Sequence, residues 1–255
     1  MTNLGEPDTI LVAGDWHGHT NWAKNVVNEA AQVGCRVILQ LGDFGYWAHT
    51  ESGRRYLKRL SKHAVDKEVM IYFVDGNHEN HEMLHHGNPD ELAEIRSNIY
   101  HIPRGFRWTW HDRKWIGIGG AVSVDQNIRV PGRDWWPQEE LNAFEFRRIL
   151  NSGPADVVVA HDCPIEVPLT LPSTSVFLET LITKARRYQL SMSAIAEELR
   201  PQYWFHGHYH DYPGSAQEFM VELPGIGINY RVTGFERDGH PLNMRLLDVR
   251  TMEWK

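Results

Sequence analysis

Cysteine, net positive charge and long apolar runs are all scarce in this chain. Its two cysteines, Cys35 and Cys163, sit in no Cys-x-x-Cys pair and cannot build a disulfide framework. A reducing, cytoplasmic setting is the resulting expectation. Lysine and arginine number 26 against 33 acidic residues, a formal net charge of −7. That excludes a surface holding nucleic acid by phosphate neutralisation alone, so any bound phosphate needs a local source of positive charge. No stretch approaches the roughly 18 consecutive apolar residues of a membrane span. The short polar start, Met1 to Pro7, is unlike a secretion signal, so neither insertion nor ordinary secretion is expected.

What the chain has in excess is histidine, fifteen residues, and tryptophan, ten, on a background of 42% apolar and 23% charged residues usual for globular proteins. Its 255 residues suit one large domain or two small ones. No linker, repeat or low-complexity tract divides it, so a single domain over 1–255 is expected, with an aromatic-rich insertion at about 84–136.

Apolar runs at 8–13, 36–41 and 68–74 alternate with amphipathic stretches at 21–33 and about 51–65. This rhythm implies a largely parallel sheet buried on both faces. Short β-like pieces at 99–102, 106–110 and 115–118 suggest added antiparallel sheet, and 156–160 and 202–205 two more strands. Residues 137–150 read as a helix opened by Pro137, 175–199 as two helical stretches, and Asp238-Gly239 as a hairpin turn in the tail.

Five of these runs end in residue types that bind metals: Asp15-Trp16-His17, Asp43, Asn77-His78, His161 and His206-Gly207-His208. In open α/β sheets the carboxyl ends of the strands meet at one rim, where ligands bind. Spacing i, i+2 lets Asp15 and His17, and His206 and His208, reach inward together, with Trp16 turned away. A single strand-end histidine is usually only a polar surface group. The ordered set is another matter: composition predicts roughly 0.06 Gly-Asn-His triplets in a chain like this, and one occurs directly after a strand. Carboxylates, an amide and imidazoles without thiolates suit Mn, Fe, Ni or Zn. So many groups exceed one tetrahedral site, whereas two ions sharing a carboxylate would accommodate such a set and clamp an in-line displacement at phosphorus.

With Asp15-x-His17, Gly42-Asp43, Gly76-Asn77-His78-Glu79, His161 and Gly207-His208-Tyr209-His210, the chain resembles the calcineurin-like metallophosphoesterases. The last stretch fits that family's Gly-His-x-His, which moves the final pair to His208 and His210 and leaves His206 as a structural histidine. The resemblance implies that Asp15, His17 and His210 hold one ion, that Asn77, His161 and His208 hold the other, and that Asp43 bridges them. It further implies two divalent ions per chain, manganese first among Mn, Fe, Ni, Zn and Mg. His78 would assist the leaving group, with a metal-bridging hydroxide as nucleophile. The expected fold is a four-layer α-β-β-α sandwich, two mixed sheets flanked by helices.

Departures narrow the subtype. Gly42-Asp43-Phe44-Gly45-Tyr46-Trp47 lacks the second acid and the arginine of the protein phosphatases. Tyr46 stands where purple acid phosphatases carry an iron-binding tyrosine, and is read as a pocket-wall aromatic. Arg129 and Arg133 are candidates to clamp a phosphate oxygen. Trp47, Trp135, Trp136 and Tyr209 could stack on a base, although packing is the commoner use of such rings. Cys163 reads as buried filler, and His19, His81, His85 and His86 as surface or supporting residues. The substrate expected is a small, nucleotide-like phosphodiester; nucleic acid is not favoured, and no oligomeric state follows. The rivals are a phosphomonoesterase or nuclease of the same family and, in another class, a catalytically silent metal-stabilised scaffold.

Overall fold

The computed structural model describes residues 4–169, 177–210, 216–223 and 227–255. The chain first alternates β1 (Thr9–Ala13), α1 (Thr20–Gln32), β2 (Val37–Gln40), α2 (Glu51–Asp66) and β3 (Met70–Phe73), then passes through a one-turn helix α3 (His81–Leu84) to β4 (Ala93–Arg96) and β5 (Ile99–His101). Next come β6 (Arg107–Trp110), β7 (Arg113–Ile118), α4 (Ala143–Leu150), β8 (Val157–Ala160), α5 (Glu179–Leu199), β9 (Tyr203–His206), β10 (Glu218–Glu222) and β11 (Asn229–Gly234). β12 (Met244–Asp248) and β13 (Glu253–Trp254) follow. The first sheet runs β13-β12-β1-β2-β3-β5-β4 and the second β10-β11-β9-β8-β7-β6.

Strand alternation explains the layers. In β1, Ile10 and Val12 face the second sheet while Leu11 and Ala13 pack under α1 and α2. In β8, Val157 and Val159 face the first sheet, and Val158 and Ala160 pack under α5. Both sheets are mixed and carry helices on their outer faces, so the expected sandwich is the fold. The inter-sheet layer is heavy in aromatics: Trp115, fully buried, lies 5.1 Å from Trp110, 5.9 Å from Trp108 and 6.4 Å from Phe205 between ring centroids. Trp115→Ala is expected to cost about 3–5 kcal/mol by leaving a cavity between two sheets that cannot close on it; denaturant unfolding measures this.

β1, β2 and β3 run parallel in matched register, as do β7, β8 and β9, so each sheet brings its carboxyl ends level. Local expectations met three corrections. Pro137 opens only a 3₁₀ turn, Pro137–Glu139, and α4 starts at Ala143, because Asn142 and Glu145 form a capping box there. Over 175–199 the described residues hold one helix, α5; residues 175 and 176 lie outside them. Asp238-Gly239 closes no hairpin: β11 belongs to the second sheet and β12 to the first, so this segment crosses between them, and β10 and β11 form the antiparallel pair instead. No helix among the described residues is long and apolar enough to cross a membrane.

Candidate metal centre

Three of the strand-end residues hold backbone angles that L side chains seldom adopt: His17 at φ 45°, Asp43 at φ 51° and His208 at φ 67°. Such positions cost of order 1–3 kcal/mol each and persist only where the surroundings fix them. Here the loops fix one another. The amides of Trp16 and His17 donate to Asp43 O at 3.0 and 2.7 Å. The His78 amide donates to Asp43 Oδ1 at 2.9 Å, and the His208 amide to Asp15 Oδ1 at 3.1 Å. Gly76 is required by close approach, since a Cβ there would lie 2.2 Å from Asp43 Oδ1 and 2.8 Å from His161 Nε2.

These amide bonds aim the carboxylates. With Oδ1 of Asp15 engaged, its buried Oδ2 has no hydrogen-bond partner and lies 3.9 Å from His17 Nε2 and 3.7 Å from His210 Nε2. Asp43 divides its oxygens: Oδ2 is 3.4 Å from His17 Nε2 and 3.7 Å from His78 Nε2, whereas Oδ1 is 3.6 Å from His161 Nε2. His161 Nδ1 lies 2.7 Å from Leu41 O and donates to it, and its Nε2, whose proton a metal would displace, lies 3.1 Å from Asn77 Oδ1. Two acceptors that close require a proton or a cation between them. The Asn77 amide nitrogen donates to Ser123 Oγ at 3.0 Å, which orients its oxygen inward. The His208 ring sits 5.0 Å from that of His161.

The electrostatics are those of an anionic pocket lined with imidazoles. Burial pushes Asp15 up, whereas His78, His161 and His17 hold Asp43 well below the carboxylate range although burial opposes them. Burial disfavours charge on His17, yet its hydrogen bonds to Asp238 and Asp43 raise its pKa to about 11.

The calcineurin-like phosphoesterase profile matches residues 8–212. The chain belongs to the calcineurin-like phosphoesterase family. This is a family of dinuclear, metal-dependent phosphoester hydrolases. No curated protein matches the sequence. The fold is similar to that of TT1561 of Thermus thermophilus, at 11% identity and TM-score 0.56, covering 98% of this chain and 97% of that one. It is also similar to a dimetal phosphatase from Danio rerio, at 11% identity and TM-score 0.58, covering 94% and 92%.

For a calcineurin-like phosphoesterase the donor set fits divalent ions: an orphaned buried carboxylate oxygen, opposed acceptors at Asn77 and His161, and several imidazoles within reach of two carboxylates. Of the other candidates, Arg129 and Trp47 lie against His78 and most of the rest stand apart from the centre. Tyr46 is buried among the core residues beneath α1 and α2, and Trp16 packs on Phe44 away from the centre. The Arg129 guanidinium is held by both Asp125 oxygens at 2.8 Å and lies against His78, Nη1 2.5 Å from Nδ1 and Nη2 2.9 Å from Nε2. Arg133 is exposed and pairs with Asp134. Trp47 donates from its indole N–H to His78 O at 2.5 Å, and Trp136 is buried with its ring 5.6 Å from that of His49. His206 is buried with Nδ1 2.9 Å from Gly207 O, and His19 caps α1. Cys163 is buried under α5.

Four supporting residues carried no sequence signal. Asp238 Oδ1 accepts from His17 Nδ1 at 3.0 Å, which aims Nε2 at the centre. Buried Asn243 ties the tail to this rim, donating to Asp15 O at 3.0 Å. Ser123, which holds Asn77, donates in turn to Glu139 from Oγ at 2.6 Å and from its amide at 3.0 Å, and burial pushes Glu139 up to about 7. Asp238→Ala is expected to weaken metal binding about 10–100-fold, the usual effect of losing a carboxylate behind a ligating histidine; titration of the metal-free protein measures it, and an unchanged affinity would count against His17.

Proposed function

We propose that the chain is a dinuclear phosphodiesterase acting on small, nucleotide-like phosphodiesters, with Asp15, His17 and His210 holding one ion, Asn77, His161 and His208 the other, and Asp43 between them. The observation that carries this reading is the division of the Asp43 carboxylate, one oxygen facing His17 and the other His161. When bound, the ions supply the positive charge that a chain of net charge −7 lacks, and make water nucleophilic near neutral pH. His78, beside Asp43 and a quarter exposed, is the group placed to donate to the departing ester oxygen.

Two features favour diesters. Among the described residues Arg129, the candidate arginine beside His78, is already held by both Asp125 oxygens and so is less available to a terminal phosphate dianion, whereas Arg133 is exposed and pairs only with its neighbour Asp134. A cavity of about 160 Å³ next to Asp43, Asn77 and His78 has an apolar wall of Val124, Phe177, Ile182, Ala185 and Tyr209, suited to an organic group on the phosphate. Turnover of a cyclic nucleotide, bis-p-nitrophenyl phosphate, p-nitrophenyl phosphate and single-stranded DNA, each with Mn²⁺, Mg²⁺, Ni²⁺ or Zn²⁺, tests this. The small diesters should lead. Preference for the monoester or the polymer would replace the substrate assignment, and no turnover with two ions bound would favour the silent scaffold.

A further inference from the structure

A second polar cluster lies on the far side of the β3 loop, outside the proposed metal centre. Asp75 follows β3 and is fully buried; His81 and His85, four residues apart, come from α3 and its C-cap. His81 Nδ1 and His85 Nε2 share a hydrogen bond at 3.2 Å, whose proton a cation would displace, and Asp75 Oδ2 is 3.8 Å from the first and 3.6 Å from the second. Neither imidazole therefore reaches the carboxylate at hydrogen-bond distance. A point equidistant from these three atoms lies about 2.1 Å from each, the Zn–N and Zn–O bond length, but in their plane; a tetrahedral ion needs the atoms about 3.4 Å apart, a shift of a few tenths of an ångström.

We propose that Asp75, His81 and His85 form a third divalent-cation site, of the zinc, cobalt and nickel class, open to solvent beside His85. The carboxylate is fixed in place: His101 Nε2 donates to Asp75 Oδ1 at 3.1 Å, and Arg104 Nε and Nη2 donate at 2.9 and 2.6 Å to Oδ2, the oxygen that would face the ion. Glu145, 3.2 Å from Arg104, offsets the guanidinium, so Asp75, Glu145 and Arg104 sum to one negative charge with the imidazoles neutral. Because Arg104 already draws on Oδ2, binding depends on the two imidazoles, which selects borderline ions over magnesium or calcium. Access is through His85, whose side chain is 20% exposed and borders two surface cavities of about 170 and 640 Å³, the larger also lined by Glu82 and His86.

The test is a count by equilibrium dialysis against Zn²⁺ and elemental analysis, with Co²⁺ absorption as a second reading. His85→Ala and His85→Gln should each bind one ion fewer than their parent and lose one Co²⁺ band. The comparison is made both in the native sequence and in Asp43→Asn, so that a difference of one reports this site whatever happens at the centre proposed above. Matching thermal melts of the metal-free proteins exclude misfolding as the cause. Equal counts in parent and variant would overturn the proposal, and so would a loss that follows His86→Ala but not His85→Ala.

Discussion

Asp43→Asn is expected to abolish stoichiometric binding at the proposed centre and to lower kcat/KM by at least about 10³-fold, since the several kcal/mol that bound cations contribute to the transition state is lost with them. The substitution preserves shape: an amide oxygen still accepts from the His78 amide, now 2.9 Å from Asp43 Oδ1. What disappears is a buried charge whose two oxygens face His17 at 3.4 Å and His161 at 3.6 Å. Both ions should therefore weaken together. His210→Ala, by contrast, removes a group near Asp15 alone and should weaken one ion. Elemental analysis after dialysis at equal free metal decides between these outcomes. Two ions retained by Asp43→Asn would mean that the carboxylate is not shared.

His78→Ala should separate rate from metal binding. The contact of this residue with Asp43 Oδ1 is made by its backbone amide, which the substitution leaves in place, so metal content should stay near that of the parent. The imidazole stands 3.7 Å from Asp43 Oδ2. Because the ring is neutral near pH 7, what is lost is a hydrogen-bond donor to a leaving alkoxide, which should lower kcat about 10²–10⁴-fold. An ester whose leaving group is already a stable anion, such as p-nitrophenolate, should lose far less. Equal losses for both leaving groups would reduce His78 to a positioning role, and unchanged rates with both would remove it from the chemistry. In the metal-free protein burial, reinforced by Arg129, holds the His78 pKa at about 4 against the pull of Asp43.

How much of this the amino-acid order carries differs from one layer of the problem to the next. The rim itself is legible because its signal is local: an apolar run of period two must be a buried strand, and the residue after it must stand at that strand's carboxyl end. Asp15, Asp43, Asn77 and His161 are found this way, since the parallel registers of β1–β2–β3 and β7–β8–β9 level the strands from which they project. Local rules fail where a distant partner decides. Asp-Gly at 238–239 looks like a hairpin, but β11 and β12 find their partners in different sheets, and Asp238 ends as the support of His17, 221 residues away. Pro137 is a weaker start signal than the Asn142–Glu145 capping box that follows it, because the box satisfies two orphan amides and the proline none.

The sequence by itself determined the layers, the family and the rim at which its polar groups gather, because alternation and strand-end position are properties of neighbouring residues. Only the tertiary structure decided which oxygen of each carboxylate faces inward, which amide, carbonyl or carboxylate orients each donor, and that Asp75, His81 and His85 come together behind the β3 loop. Those outcomes depend on contacts between segments far apart in the chain, and no local pattern of residues encodes the distances between them.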